Sequence, residues 1–179
     1  MVYVILGTGF EEMEALASVD VLRRAGVSVK TAAVGKRETV GAHGITVTAD
    51  CKVADVSLDD MTMLVLPGGM GGVESIMNDA AAMALVKTAH EAGKDIAAIC
   101  AAPMILAKLG YAAGRRMVIY PGMEEYIPGA EVPKGVKTCV DGEFITGLGP
   151  GAAIDFGLEL VRRTAGDGAA DTVRAQLHY

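Results

Sequence analysis

The chain has no tryptophan, three phenylalanines and five tyrosines, so a core for its 179 residues must be built from aliphatic side chains and the ten methionines. Cysteine is equally scarce. Cys51, Cys100 and Cys139 form neither a metal-type CxxC pair nor an even disulfide framework, which fits a reducing compartment. The acids are dispersed, the net charge is -6, and no Lys/Arg block is long enough to track phosphates, so nucleic acid is not an expected partner. No apolar run approaches the length of a membrane span. The chain opens on the strand-like Val2-Tyr3-Val4-Ile5-Leu6 without a charged leader, and a cytoplasmic protein is expected. His43, His90 and His178 lack metal-ligand spacing and read as surface or loop residues, with no metal implied.

What is present points to one α/β domain over residues 1–179, given 51% apolar content. Val2–Leu6 reads as a buried strand, followed by the turn Gly7-Thr8-Gly9. A helix then carries acids in its first turn, repeats Met13, Leu16, Ala17, Val21 and Leu22 at helical spacing, and stops at Gly26. Val27–Val34 alternates as a strand. Thr39-Val40 and Ile45–Thr48 flank Gly41-Ala42-His43-Gly44 as a short hairpin. Met61–Leu66 is a further buried strand that runs into Pro67-Gly68-Gly69-Met70-Gly71-Gly72, a loop expected to expose its backbone N–H groups. Ala80–Ala92 follows as a helix. Met117–Tyr120, Val136–Val140 and Glu143–Thr146 look like shorter strands, with Asp141-Gly142 as a turn. A last long helix presents Ile154, Leu158 and Val161 inward. Strands alternating with helices imply a mostly parallel sheet with helices on both faces.

Chemistry concentrates where the strand Asp95–Ile99 ends on Cys100 and turns into the helical Met104–Leu109. That geometry resembles a nucleophile elbow, in which a strained strand-to-helix turn lifts the reactive atom above the sheet. Helix-start N–H groups would there favour a thiolate. The plain alternative is a small buried hydrophobe, the reading that suits Cys51 and Cys139. In an open parallel sheet, ligands bind beyond the carboxyl ends of the strands, the edge that holds Glu14, Gly68, Gly69 and Cys100. Spacing does not choose among Glu11, Glu12 and Glu14, any of which could serve only as charge compensation on a solvated helix start. The glycine loop lacks GxGxxG spacing and a Lys-Ser/Thr ending, so a nucleotide site is not supported. It serves either as a tight turn or as an oxyanion hole in which Gly68 and Gly69 act with the N–H of Ala101. Arg23 and Arg24 read as a solvated helix end.

Five motifs in order carry a resemblance: Glu11-Glu12-Met13-Glu14, Arg23-Arg24-Ala25-Gly26, Leu66-Pro67-Gly68-Gly69, Ala97 through Pro103, and Gly149-Pro150-Gly151. Together they resemble the ThiJ/PfpI superfamily, nearest the branch of the parkinsonism-associated protein deglycase and its bacterial relatives, from the first strand to about Leu177. The resemblance implies a flavodoxin-like three-layer sandwich, a homodimer, and no metal or organic cofactor. It makes Cys100 the nucleophile and selects Glu14 as the carboxylic acid hydrogen-bonded to it. The family's intracellular proteases carry His where Ala101 stands, and its amidotransferases need a His-x-Glu absent near Gly149-Pro150-Gly151. Many members of the deglycase branch place a histidine where this chain has Tyr120, a poor base at neutral pH that can still donate a hydrogen bond. His43 replaces the arginine of the family's hairpin and is, with Arg24, the candidate for an anion site.

The expected function is a cysteine-dependent glyoxalase or deglycase acting on methylglyoxal-type aldehydes. The rival is a redox-sensing stress protein or chaperone in which Cys100 is oxidised. Thiazole monophosphate biosynthesis, a label carried by some members, has no matching phosphate site here.

Overall fold

The structure is a computed structural model that describes residues 1–179. In chain order, β1 (Val2–Leu6) leads into α1 (Glu12–Arg24) and β2 (Val29–Ala33), and then into the short strands β3 (Glu38–Val40), β4 (Thr46–Thr48) and β5 (Cys51–Lys52). After β6 (Met63–Leu66) come α2 (Met70–Asn78), α3 (Ala80–Glu91), β7 (Asp95–Ile99) and α4 (Pro103–Lys108). The chain finishes with β8 (Thr138–Asp141), β9 (Phe144–Gly147), α5 (Ala153–Ala165) and α6 (Asp167–Gln176). Seven strands form one sheet in the order β5-β2-β1-β6-β7-β9-β8, and β3 pairs with β4 apart from it. Every neighbouring pair in the large sheet is parallel except β8 with β9.

The continuous apolar runs of β1 and β6 follow from burial on both faces, and every residue of each strand is buried. Beyond β1 the chain moves outward to β2, whereas beyond β6 it moves the opposite way to β7. Right-handed crossovers in opposite directions put α1 on one face and α2 and α3 on the other, and open a crevice between β1 and β6. All three phenylalanines, Phe10, Phe144 and Phe156, are buried in the core. On one face α1 packs against α5, and Gly157 permits the approach, since a Cβ there would lie 3.0 Å from Val21 Cβ.

On the other face α2 packs on the loop that precedes α1. A Cβ at Gly72 would lie 2.7 Å from Phe10 Cα, a backbone atom that cannot rotate away. Gly72→Ala is therefore expected to destabilise the fold by roughly 1–3 kcal/mol through forced backbone displacement, read as a lowered urea midpoint. An unchanged midpoint would show that the loop yields freely.

Four elements differ from the sequence expectation. Met117–Tyr120 is not a strand, although Met117, Val118 and Ile119 are buried. Its N–H groups are taken elsewhere: Met117 donates to Glu131 O at 3.0 Å, Val118 to Thr146 Oγ1 at 3.0 Å and Tyr120 to Cys100 O at 2.9 Å. The Gly-rich loop is shorter than expected because α2 begins at Met70, where Gly71 and Gly72 serve close packing on Gly9 and Phe10. The last helix is two, broken at Gly166, whose φ of 88° ends α5. His90 is partly buried rather than freely exposed, its ring lying 4.1 Å from that of Tyr111 and 5.3 Å from that of Phe144, centroid to centroid.

Candidate functional site

Cys100 immediately follows β7, and its φ of 64° lies in the left-handed region that non-glycine residues rarely adopt. The strained turn is held at both ends. Cys100 N–H donates to Gly147 O and its carbonyl accepts from Tyr120 N–H, each at 2.9 Å. The result is the elbow anticipated from the sequence, with Cys100 only 9% exposed at the carboxyl edge of the sheet.

Glu14 reaches the same point from α1. The helix begins there because Glu11 caps it, with Oε2 accepting from Glu14 N–H at 2.8 Å. The Glu14 carboxyl is fully buried, and its Oε2 accepts the Gly68 N–H at 2.7 Å. Oε1 is buried without an aligned donor, and the Cys100 thiol lies beside the carboxyl. Gly68 makes the meeting possible, since a Cβ there would lie 2.5 Å from Cys100 Cβ and 2.7 Å from Glu14 Oε2. An ionised carboxylate with one empty oxygen in a buried site is costly. Burial accordingly raises the Glu14 pKa from 4.5 to about 7, against the hydrogen bonds from Gly68 and Cys100.

The sequence reading that the helix start would favour a thiolate does not survive intact. Burial, and after it the charge of an ionised Glu14, push the Cys100 thiol up to about 12. The adjoining α4 has only six residues, and the opposing pull comes from the N–H groups of Gly69 and Ala101. Thiol and carboxyl behave as one coupled pair: a proton on Glu14 removes the neighbouring negative charge that holds the proton on sulfur. Near neutrality sulfur therefore keeps its proton while Glu14 titrates beside it. Gly68 also departs from expectation, because its N–H is committed to Glu14, which leaves Gly69 and Ala101 as the donors facing the sulfur.

Glu11 and Glu12 are buried rather than solvated. Glu12 clasps the β3–β4 hairpin, its Oε1 accepting His43 N–H at 2.7 Å and its Oε2 lying 2.8 Å from His43 Nδ1. Hydrogen bonding to Glu12 raises the pKa of His43. Glu12 is lowered by the His43 contacts despite the upward push of burial. The ligand atoms of Glu11, Glu12 and His43 come within 4.8 Å of one another, but both carboxylates already accept hydrogen bonds, so the cluster is closed as a clasp. Arg24 lies at the other end of α1, paired with Asp20 at 2.6 Å, and within one chain it does not join His43 at the site.

With this geometry in view, the sequence pattern of the DJ-1/PfpI family matches residues 1–163. The chain belongs to the DJ-1/PfpI family. It is 39% identical over 165 residues to protein dj-1beta of Drosophila melanogaster, covering 91% of this chain and 88% of that one. A Pyrococcus abyssi protein named as a deglycase is 30% identical over 162 residues, covering 90% of this chain and 97% of its own. The structure of oxidised DJ-1 from Toxoplasma gondii matches with a TM-score of 0.94 at 35% identity, over 99% of this chain and 97% of that one. The seven-stranded sandwich is thus the flavodoxin-like fold of DJ-1 proteins.

Within this DJ-1/PfpI framework Tyr120 stands beside the elbow, its N–H tied to the Cys100 carbonyl and its ring half-exposed. Gly149 lies close to both that ring and the thiol. A Cβ at Gly149 would be 3.1 Å from Tyr120 Cδ2 and 3.9 Å from Cys100 Sγ. Sequence reasoning noted Gly149 only as part of a motif and missed Glu11 as the cap that sets Glu14. A carboxylate three residues before another at a helix start was the available signal for the cap. No helix is long and apolar enough to cross a membrane.

Proposed function

We propose that the protein is a cofactor-independent glyoxalase of the deglycase type, converting methylglyoxal or glyoxal to the hydroxy acid through Cys100. The observation that carries this reading is a strained elbow thiol against a buried carboxyl whose Oε1 has no aligned partner. A DJ-1/PfpI relative named as a deglycase supports the same class of chemistry.

In the proposed reaction Glu14 takes the thiol proton as sulfur attacks the aldehyde carbon. The hemithioacetal oxygen is stabilised by the N–H groups of Gly69 and Ala101. Glu14 passes the thiol proton to the adjacent carbonyl oxygen and, ionised again, moves the proton of the former aldehyde carbon to the adjacent carbon. The first carbon is thereby oxidised to a thioester and the second reduced to an alcohol, with no external oxidant. Water cleaves the C–S bond, releasing lactate from methylglyoxal or glycolate from glyoxal and returning the thiol. Cytoplasmic action is part of the proposal, as is a homodimer. The outer face of α1 supports the dimer: Met13 is 61% exposed, and with Ala17 it borders Ile154 and Tyr179 in an apolar depression. The decisive measurement is lactate formation from methylglyoxal by purified protein without added cofactor. Its absence, or equal rates from Cys100→Ser, would overturn the proposal.

A second reading, redox sensing in a stress response, is favoured by the same empty Oε1. A protonated Glu14 could donate from it to a sulfinate on Cys100, and the Toxoplasma gondii relative is described as oxidised. Under mild peroxide this reading expects a stable gain of two oxygens at Cys100, seen by intact mass, in a protein without aldehyde turnover. A protein that turns over aldehydes and stays unoxidised speaks against it.

A further inference from the structure

A cavity of about 270 Å³ lies beside Gly149, walled by Tyr120, Pro121, Lys137, Leu148, Gly149 and Pro150 among others. Gly149 links it to the elbow, because its missing Cβ would lie within 4 Å of both the Tyr120 ring and the Cys100 thiol. We infer that this cavity is a substituent slot that makes the enzyme selective for 2-oxoaldehydes bearing an aryl group. The inference rests on the glyoxalase reading and specifies its substrate.

Three observations support it. The first is size, for the hydrogen of glyoxal or the methyl of methylglyoxal would occupy only a corner of the space. The second is chemistry: Tyr120, Pro121, Leu148 and Pro150 present ring and aliphatic surface, and an aromatic face beside a flat aryl group favours offset stacking. The third is charge. Lys137 is the one ionic residue on the wall, and its Nζ is engaged by Asp155 Oδ2 at 2.8 Å and Tyr179 OH at 3.3 Å. Asp155 is held below its ordinary range by hydrogen bonds from Lys137 and Tyr179, despite the upward push of burial, so its carboxylate stands ready to cancel the ammonium. A phosphorylated or carboxylated aldehyde would meet a compensated cation and the Asp155 carboxylate. Lys137 therefore contributes its alkyl stem to the wall rather than its charge to recognition.

The test compares initial rates of phenylglyoxal and methylglyoxal turnover, taken before phenylglyoxal reaches surface arginines, for wild type, Gly151→Leu and Tyr120→Ala. A Cβ at Gly151 meets no atom within 4 Å and Gly151 lines the cavity, so leucine is accommodated without displacing backbone, and because Gly151 also borders the depression assigned to the dimer, the variant is compared at matched oligomeric state. In wild type kcat/KM should be at least about tenfold higher for phenylglyoxal, the scale on which apolar pockets discriminate. Gly151→Leu and Tyr120→Ala should each lower the phenylglyoxal to methylglyoxal ratio at least about fivefold. Methylglyoxal turnover with equal or poorer use of phenylglyoxal, or a ratio that neither variant moves, overturns the slot alone. Turnover of neither aldehyde overturns the glyoxalase reading and the slot with it.

Discussion

Cys100→Ser is expected to lower kcat/KM for methylglyoxal by on the order of 10⁴ or more, as loss of a covalent nucleophile does where the rest of the site remains. That corresponds to about 5.5 kcal/mol of transition-state stabilisation. The fold should hardly notice. Serine differs from cysteine by one atom, can keep the φ of 64°, and offers an oxygen to the Gly69 and Ala101 N–H groups that face the sulfur. Urea unfolding of the variant should stay within about 1 kcal/mol of wild type, the usual range for a near-isosteric exchange. Loss of turnover with an intact midpoint assigns Cys100 to chemistry. Retained turnover would assign it to packing, the alternative open to any cysteine at a strand end.

Glu14→Gln carries the second large effect, and it is read in two ways. Glutamine can still accept the Gly68 N–H, so the helix start remains anchored, but it cannot take a proton. Turnover should fall by roughly 10²–10⁴, the usual contribution of a positioned acid–base group. In wild type kcat/KM should rise with pH up to about 7, where Glu14 loses the second proton of the coupled pair, and then level off. That limb should be absent from the residual activity of the variant.

The stability signature has the opposite slope. Because the folded protein holds the Glu14 proton with a pKa of about 7 against 4.5 ordinarily, it binds more protons than the unfolded chain between those values. Stability from this group is therefore present below the ordinary value and is lost as pH rises toward 7, by about 3 kcal/mol in all. Wild type measured against Glu14→Gln should lose that margin between pH 4.5 and 7.5 in paired urea titrations. A constant difference across the range would mean that Glu14 ionises as freely in the fold as in the unfolded chain.

Much of this architecture is legible in residue order. The apolar runs Val2–Leu6, Met61–Leu66 and Asp95–Ile99 lie close to β1, β6 and β7, because a strand buried on both faces has no polar alternation to hide it. The same criterion misled at Met117–Tyr120, whose first three residues are as apolar and as buried but whose N–H groups go to Glu131, Thr146 and Cys100 instead of a ladder. Burial can be read from hydrophobicity. The partner of each backbone group cannot.

By itself the sequence determined the alternation of strands and helices, the edge on which its glycines and acids gather, and the cysteine at the strand-to-helix turn. These are local properties, set by side-chain period and turn chemistry within a few residues. Spacing left Glu11, Glu12 and Glu14 open, and tertiary structure decided that Glu14 faces Cys100, that Gly68 commits its N–H to that carboxyl, and that Gly149, close to the thiol, borders a cavity. It also decided the charge state. The site joins chain ends from β1, β6 and β7, and a pKa depends on distances and burial across that junction, which the order of residues along one strand does not encode.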